Sequence, residues 1–212
     1  TGEAVIAGTF SGTADFGGGP LKSSGAGIDL FVAKIRTDDG THVWSRAFGT
    51  IGDQPISVQT DAAGHVALAG SFQGVIDFGD VPGNNTLASI GVDVFVAKLS
   101  AEGKYIWSKR FGDGANQLGA DVAVDAQDNV VLTGGFEGSI NLGGGALNAA
   151  GDIDVFVAKL TSAGNHVWSK KYGGGGANVA LLGLGVDAAG DVTAVGSLDG
   201  AINFGAGVLT SN

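Results

Sequence analysis

The heptapeptide DVFVAKL occurs twice, at 93–99 and 154–160, and its near-copy DLFVAKI lies at 29–35. Spacings of 64 and 61 residues between these copies restrict the chain to repeat architectures, in which one strand recurs in one environment. The copies travel with company. EAVIAGTFSG (3–12) aligns with HVALAGSFQG (65–74), NVVLTGGFEG (129–138) and DVTAVGSLDG (191–200), at spacings of 62, 64 and 62 residues. TADFGG, VIDFGD, SINLGG and AINFGA follow these four in turn, and HVWSRAFG, YIWSKRFG and HVWSKKYG follow the three DxFVAK strands.

Each period of about 62 residues therefore holds four strands, here called A (56–61), B (65–72), C (93–100) and D (104–111) after the second repeat. In B, Val66, Leu68, Gly70 and Phe72 alternate with His65, Ala67, Ala69 and Ser71, the period-2 pattern of a strand. C is apolar on both faces, which requires cover on both. D carries Ser108, Lys109 and Arg110 and reads as an outer strand. The A regions are rich in small residues such as Gly119, Ala120, Gly183 and Gly185, suited to a crowded inner edge.

Small inside and polar outside is the gradient of a β-propeller blade, so the fold class expected is all-β, with four-stranded antiparallel blades. A parallel β-helix is the competing repeat fold, but its coils are usually shorter. No segment sustains a 3.6-residue period, so helix is expected to be near zero. DAAGH, DAQDN and DAAGD join A to B, and TDDGT, SAEGK and TSAGN join C to D, all with tight-turn chemistry. The longer B-to-C connection, containing VIDFGDVPGNNTLASIG, reads as an extra hairpin. The chain divides at 1–50 (strands B, C, D), 51–112, 113–173 and 174–212 (strands A, B and the hairpin). It carries four B strands but three each of A, C and D. We therefore expect these residues to belong to a longer chain, or to close by association with another copy, since propellers have typically about four to eight blades.

Composition excludes several classes. Forty glycines with 44% hydrophobic and 15% charged residues fit short strands and tight turns rather than a disordered tract. A net charge of −10 disfavours nucleic acid and anionic membrane surfaces. No apolar run approaches the roughly 18 residues of a membrane-spanning helix. Without cysteine there are neither disulfides nor thiolate metal sites, and the lack of both Cys and Met suits an oxidising exterior. No signal peptide is visible.

The ordered series VD–AxGxV–G–F, DxFVAKL and GxxxWSKxFGG resembles the bacterial β-propeller repeat of large secreted or surface proteins, often called the seven-bladed β-propeller repeat, and does so over essentially all 212 residues. The resemblance implies a four-stranded blade and an extracellular or cell-surface setting, and no particular activity. TDDGTHVW (37–44) is similar to the Asp-box of sialidases, but its glycine precedes tryptophan by four residues rather than three, and Ala163 replaces the acid in the third copy. It reads as a hairpin turn.

Residues that recur in every blade are read as architecture. Trp44, Trp107 and Trp168 are assigned to inter-blade packing. Lys34, Lys98 and Lys159 are expected to pair with an acid of the next blade. His42, His65 and His166 read as exposed turn residues, and Arg36, Arg46 and Arg110 as dispersed outer-strand residues that cannot converge on an anionic ligand. No nucleophile elbow or P-loop is present. The GGG runs at 17–19 and 143–145 precede strands, so they cannot cradle phosphate at a helix N-terminus. No catalytic residue, metal site or cofactor is expected. Calcium is the one ion for which there are oxygen-rich turns, at Asp38–Asp39 and at GGGGANVAL (173–181), which resembles the calcium-binding nonapeptide with Asn178 in place of Asp.

Strand alternation puts the A–B and C–D turns on one face and the B–C and D–A loops on the other. The second face gathers residues that break the repeat: Asp53, Gln54, Asn84, Asn85, Asp113, Asn116, Gln117 and Asn178. These are the candidate ligand contacts. The function expected is a non-catalytic extracellular scaffold or interaction module with a protein or glycan partner on this face. A lectin is the alternative and a glycoside hydrolase the third class.

Overall fold

A computed structural model describes residues 2–24, 27–51, 56–79, 85–174 and 178–211. These residues form antiparallel strands and turns, with no helix among them. The second repeat is the sheet β6 (Ile56–Thr60), β7 (Val66–Phe72), β10 (Asp93–Leu99) and β11 (Tyr105–Phe111), ordered β11-β10-β7-β6. The third is its copy, β12 (Gln117–Val124), β13 (Val130–Phe136), β16 (Asp154–Leu160) and β17 (His166–Tyr172). The first has β1 (Glu3–Phe10), β4 (Ile28–Arg36) and β5 (His42–Ile51), and the fourth pairs β18 (Asn178–Val186) with β19 (Val192–Asp199). The strand order A-B-C-D is thus that of a β-propeller blade, and the B–C hairpin appears in all four repeats: β2–β3 (Thr13–Asp15, Pro20–Lys22), β8–β9 (Val75–Asp77, Thr86–Ala88), β14–β15 (Ser139–Asn141, Ala146–Asn148) and β20–β21 (Ala201–Asn203, Val208–Thr210).

Register repeats with the sequence. Phe95 faces Gly70 across β10–β7, and Phe156 faces Gly134 across β16–β13. The glycine is required by contact: a Cβ on Gly134 would lie 2.9 Å from the Phe156 ring, and one on Gly8 2.9 Å from the Phe31 ring. All seven residues of β7 and all seven of β10 are buried. The alternation in B therefore separates two cores rather than core from solvent. Val66, Leu68, Phe72, Phe95, Ala97 and Leu99 pack toward the first repeat, with Leu30, Val32 and Phe48. Ala67, Ala69, Val94 and Val96 pack toward the third, with Leu132, Phe136 and Phe156. The second blade is thus a wall shared by two cores, which is why its strand C is apolar on both faces.

Three features depart from the sequence reading. The lysines of DxFVAK pair within their own blade: Lys98 Nζ lies 3.0 Å from Asp61 Oδ2 and Lys159 Nζ 2.7 Å from Asp125 Oδ2, both acids standing in the A–B turn. The acid reaches its lysine because it caps the turn, accepting the backbone N–H groups of the residues two and four ahead. In the first repeat Glu3 takes that place, 3.0 Å from Lys34.

Second, His42 and His166 are half-buried rather than exposed. Each ring sits 3.1 Å from a serine hydroxyl, Ser45 or Ser169, under a hairpin tip. A Cβ on Gly18 or Gly144 would fall 2.1 and 2.3 Å from these rings, so the GGG runs are the close approach of hairpin to histidine.

Third, the hairpins begin on the B–C face but fold back along the blade toward the start of strand D. Ile76 and Phe78 of the second hairpin, and Ile140 and Leu142 of the third, are buried between blades. They are plugs in the core and do not project as loops.

The tryptophans join successive blades. Trp44 Nε1 donates to Ala101 O and Trp107 Nε1 to Ser162 O, each at 2.9 Å, both acceptors lying in the C–D turn of the following repeat. Gly103 and Gly164 sit at positive φ in those turns with an indole face where a Cβ would project, so only glycine meets both requirements.

Candidate functional site

The loop 112–117 between β11 and β12 is the D–A connection described in full, and it carries three of the sequence-selected residues. It begins on a buried carboxylate. Asp93 opens β10, and its Oδ2 accepts from Arg110 at 2.6 Å and from the Ile90 N–H at 3.1 Å. Its other oxygen has no hydrogen-bond donor among the described residues and lies against Gly112, at 2.1 Å from where a Cβ would be. Asp154 repeats this with Lys171 at 2.7 Å, the Ala150 N–H at 3.0 Å and Gly173. Asp29 accepts from the N–H and hydroxyl of Ser24. The acid of DxFVAK thus staples the end of the B–C connection, to strand D in the second and third repeats, and it explains the glycine after strand D.

From Gly112 the loop is closed by its own side chains. Asp113 Oδ1 accepts from the Ala115 N–H at 2.8 Å and from Gln117 Nε2 at 3.0 Å, while Gln117 Oε1 accepts from the Asp113 N–H at 3.2 Å. Gln117 is fully buried, and its backbone N–H bonds Val92 O at 2.8 Å, tying the loop to the preceding blade. Asn116 is exposed. Its carbonyl accepts from the Glu137 N–H at 2.9 Å and its Nδ2 donates to Glu137 Oε2 at 3.1 Å, tying the loop to the following blade. The surface offered to solvent is therefore the Asn116–Glu137 pair at the end of the β12–β13 ladder of the third blade, with Gly114 and Gly138 beside it.

Asp113, Asn116 and Gln117 come together, and Glu137, which the sequence reading did not select, joins them. Asn85 stands apart, at the tip end of the second hairpin, where its carbonyl accepts from the Phe78 N–H at 3.2 Å. Asp53, Gln54 and Asn84 lie outside the described residues, as does the side chain of Asn178, whose backbone opens β18.

Several carboxylates elsewhere are engaged. Asp38 holds Arg36 at 2.6 Å, and Asp39 accepts from Thr41, whose N–H and hydroxyl keep its carboxyl below the usual range. Burial works against ionisation of Asp61 and Asp125, but the lysine, the turn N–H groups and His65 or Asn129 prevail, lowering both and bringing Asp125 to about 2. Asp121 on β12 accepts from the Ser57 hydroxyl and, at 2.6 Å, from the Leu184 N–H, linking the inner strands of three repeats. Among the described residues no three His, Asp or Glu side chains are gathered as metal ligands.

With this geometry in view, one relative agrees on architecture. The chain is 26% identical to an uncharacterized WD repeat-containing protein, L264, of Acanthamoeba polyphaga mimivirus, in an alignment of 208 residues that covers 83% of this chain. The chain spans 15% of that viral protein's length. No family model matches the chain. The likeness and the blade topology together fit a β-propeller.

Proposed function

We propose that the chain is a non-catalytic propeller module that binds another macromolecule through the rim at its D–A loop 112–117. The observation that carries this reading is the use of its polar side chains. The buried acids of the second and third repeats are ion-paired in the same way and build the blade, so they are not placed as general acid and base. What differs between repeats is the rim, where Asn116 and Glu137 face solvent on a rigid frame. The viral relative is named for its WD repeats, and repeats of that kind serve as interaction scaffolds, which supports a protein as the partner. The finer assignment to the secreted bacterial propeller repeats rests on the three strand signatures. The extracellular setting is supported by the absence of Cys and Met.

The test is affinity capture from the producing cell's secreted and surface fractions with the wild-type chain and with an Asn116→Ala/Glu137→Ala double variant. A partner retained by the first and lost by the second supports the rim. A competable hit on a glycan array that the double variant abolishes would replace the protein partner with a glycan. Turnover of chromogenic glycosides would overturn the non-catalytic reading.

A further inference from the structure

Loop 112–117 has an apolar flank that the repeat does not call for. Ile90, at the end of the B–C connection of the second repeat, is 63% exposed, and the equivalent positions hold Ala26 and Gly151. Among the described residues it packs into none of the buried clusters. The backbone fixes it beside the loop. The Ile90 N–H donates to Asp93 Oδ2 at 3.1 Å, and Gly91, at φ of 94°, runs so close to the loop that a Cβ would lie 3.3 Å from Ala115 O. On the inner strand, Leu118 follows the buried Gln117 and is 40% exposed. Two large apolar side chains thus meet solvent next to a loop that is held rigidly.

The polar groups of the same loop are anionic. Gln117 Nε2 lies 3.0 Å from Asp113 Oδ1 and 3.5 Å from Glu137 O, so one buried amide holds both acidic residues at one end of the loop. Asp113 Oδ2 lies 3.8 Å from where a Cβ on Gly138 would be. Neither it nor Glu137 Oε1 meets a donor among the described residues, and no cation among them pairs with either acid. Arg110, the cation at this end of β11, is held at 2.6 Å by Asp93 Oδ2. Asp93 is fully buried, and its Oδ1 has no donor among the described residues. That oxygen and Gln117 Oε1 converge on Gly112, 2.1 and 2.4 Å from where its Cβ would be. An unpartnered carboxylate oxygen at the root of the loop therefore adds to the two acids at its end. Gly114 and Gly138 are exposed and carry no side chain, so another backbone can come close to these acids.

From this we infer the class of partner that the rim takes: an extended peptide segment of another protein, with a lysine or arginine next to aliphatic side chains. The inference rests on the rim reading above and gives it a chemistry. The cation supplies the donors that Asp113 and Glu137 lack, over the floor made by Gly114 and Gly138. The aliphatic groups cover Ile90 and Leu118, whose burial gives the affinity that exposed charge pairs alone do not. A net charge of −10 favours the approach of such a segment and opposes that of an acidic one.

The experiment selects a phage-displayed library of random dodecapeptides on the 212-residue chain. The enriched peptides are then titrated by fluorescence anisotropy against the wild type and variants whose thermal unfolding matches it. Lys or Arg beside Leu, Ile or Val is the pattern expected. Glu137→Gln keeps an acceptor for Asn116 and removes the charge; it should weaken these peptides by about threefold or more at low salt, and by less at about 0.5 M salt. Ile90→Ser, at an exposed position, should weaken them by about fivefold or more at both. Peptides that lose binding to Asn116→Ala/Glu137→Ala but lack the cationic-aliphatic pattern overturn the inference and leave the rim standing. So do peptides that bind Glu137→Gln and Ile90→Ser as tightly as the wild type. A library that yields no peptide sensitive to the double variant overturns it too, and capture from the producing cell's fractions then decides the rim separately.

Discussion

Asp125 shows how a single carboxylate couples two motifs that are distant in sequence. It caps the A–B turn and accepts Lys159 of strand C at 2.7 Å. Its folded pKa of about 2 lies below the ordinary value of 3.8, so the pair stabilises the fold fully above about pH 4 and loses that contribution as pH falls through 2. The amount is on the order of 2 kcal/mol. Asp125→Asn retains the turn acceptor, so chemical denaturation should show a constant gap from wild type at neutral pH that closes between about pH 4 and pH 2. A gap independent of pH would sink this account. In the same turn Asp128 holds φ of 61°, where the other repeats place Gly64 and Gly190. Replacing Asp128 by Gly should raise stability by about 1 kcal/mol, read as a higher melting temperature, because among the described residues only the backbone carbonyl of Asp128 serves as an acceptor, for Lys98 at 3.5 Å. Recurrence of Lys and Asp was legible in the sequence, but the partner of each was not. Strand alternation says which side of a blade a lysine occupies, and the acid it meets comes from a turn that alternation does not place.

The B–C hairpins show the same limit one level up. Their existence could be read from turn-forming residues between two strands, and their fourfold recurrence matched the period. Their direction could not, since a three-residue strand carries too short a pattern to name the surface it packs on. A signal was nevertheless present. GGG occurs in the repeats that begin strand D with His42 and His166, and not in the repeat that begins it with Tyr105. The folded-back hairpin fills the gap between blades, so truncating it should behave like a core cavity. Ile140→Ala and Leu142→Ala, each about 1% exposed, should cost about 2–4 kcal/mol apiece. Phe204→Ala, at the counterpart of Leu142 but 45% exposed, should cost less than about 1 kcal/mol. Urea denaturation of the three variants compares them directly. Equal losses at Leu142 and Phe204 would show that the hairpins are not plugs.

At the scale of the whole molecule, stability should vary along the chain with the number of neighbours each blade has. Repeat proteins approximate a sum of blade terms and nearest-neighbour interfaces. The second and third blades contribute to a core on each side, and their middle strands β7, β10, β13 and β16 are hydrogen-bonded along both edges. Among the described residues β19 is bonded along one edge, and most of its residues are exposed. The candidate rim crosses the most rigid part of this gradient, since loop 112–117 is tied to Val92 behind it and to Glu137 ahead. That position was only partly legible in the sequence. Repetition identifies the scaffold by what stays constant and says of the rim only that it differs, which marks Asn116 and also Glu137, whose position holds Ser11, Gln73 and Asp199 in the other repeats, but does not show that the two meet. Native-state hydrogen exchange should therefore show the slowest amides in β10 and β16, intermediate ones in β4, and the fastest strand amides in β19. Phe156→Ala, which removes a ring from the core shared by the second and third blades, should speed exchange in β7 and β10 as well as in β13 and β16, because the wall it weakens belongs to both. Exchange that accelerates only within the third blade, or that is uniform along the chain, would contradict a structure in which neighbouring blades stabilise one another through shared cores.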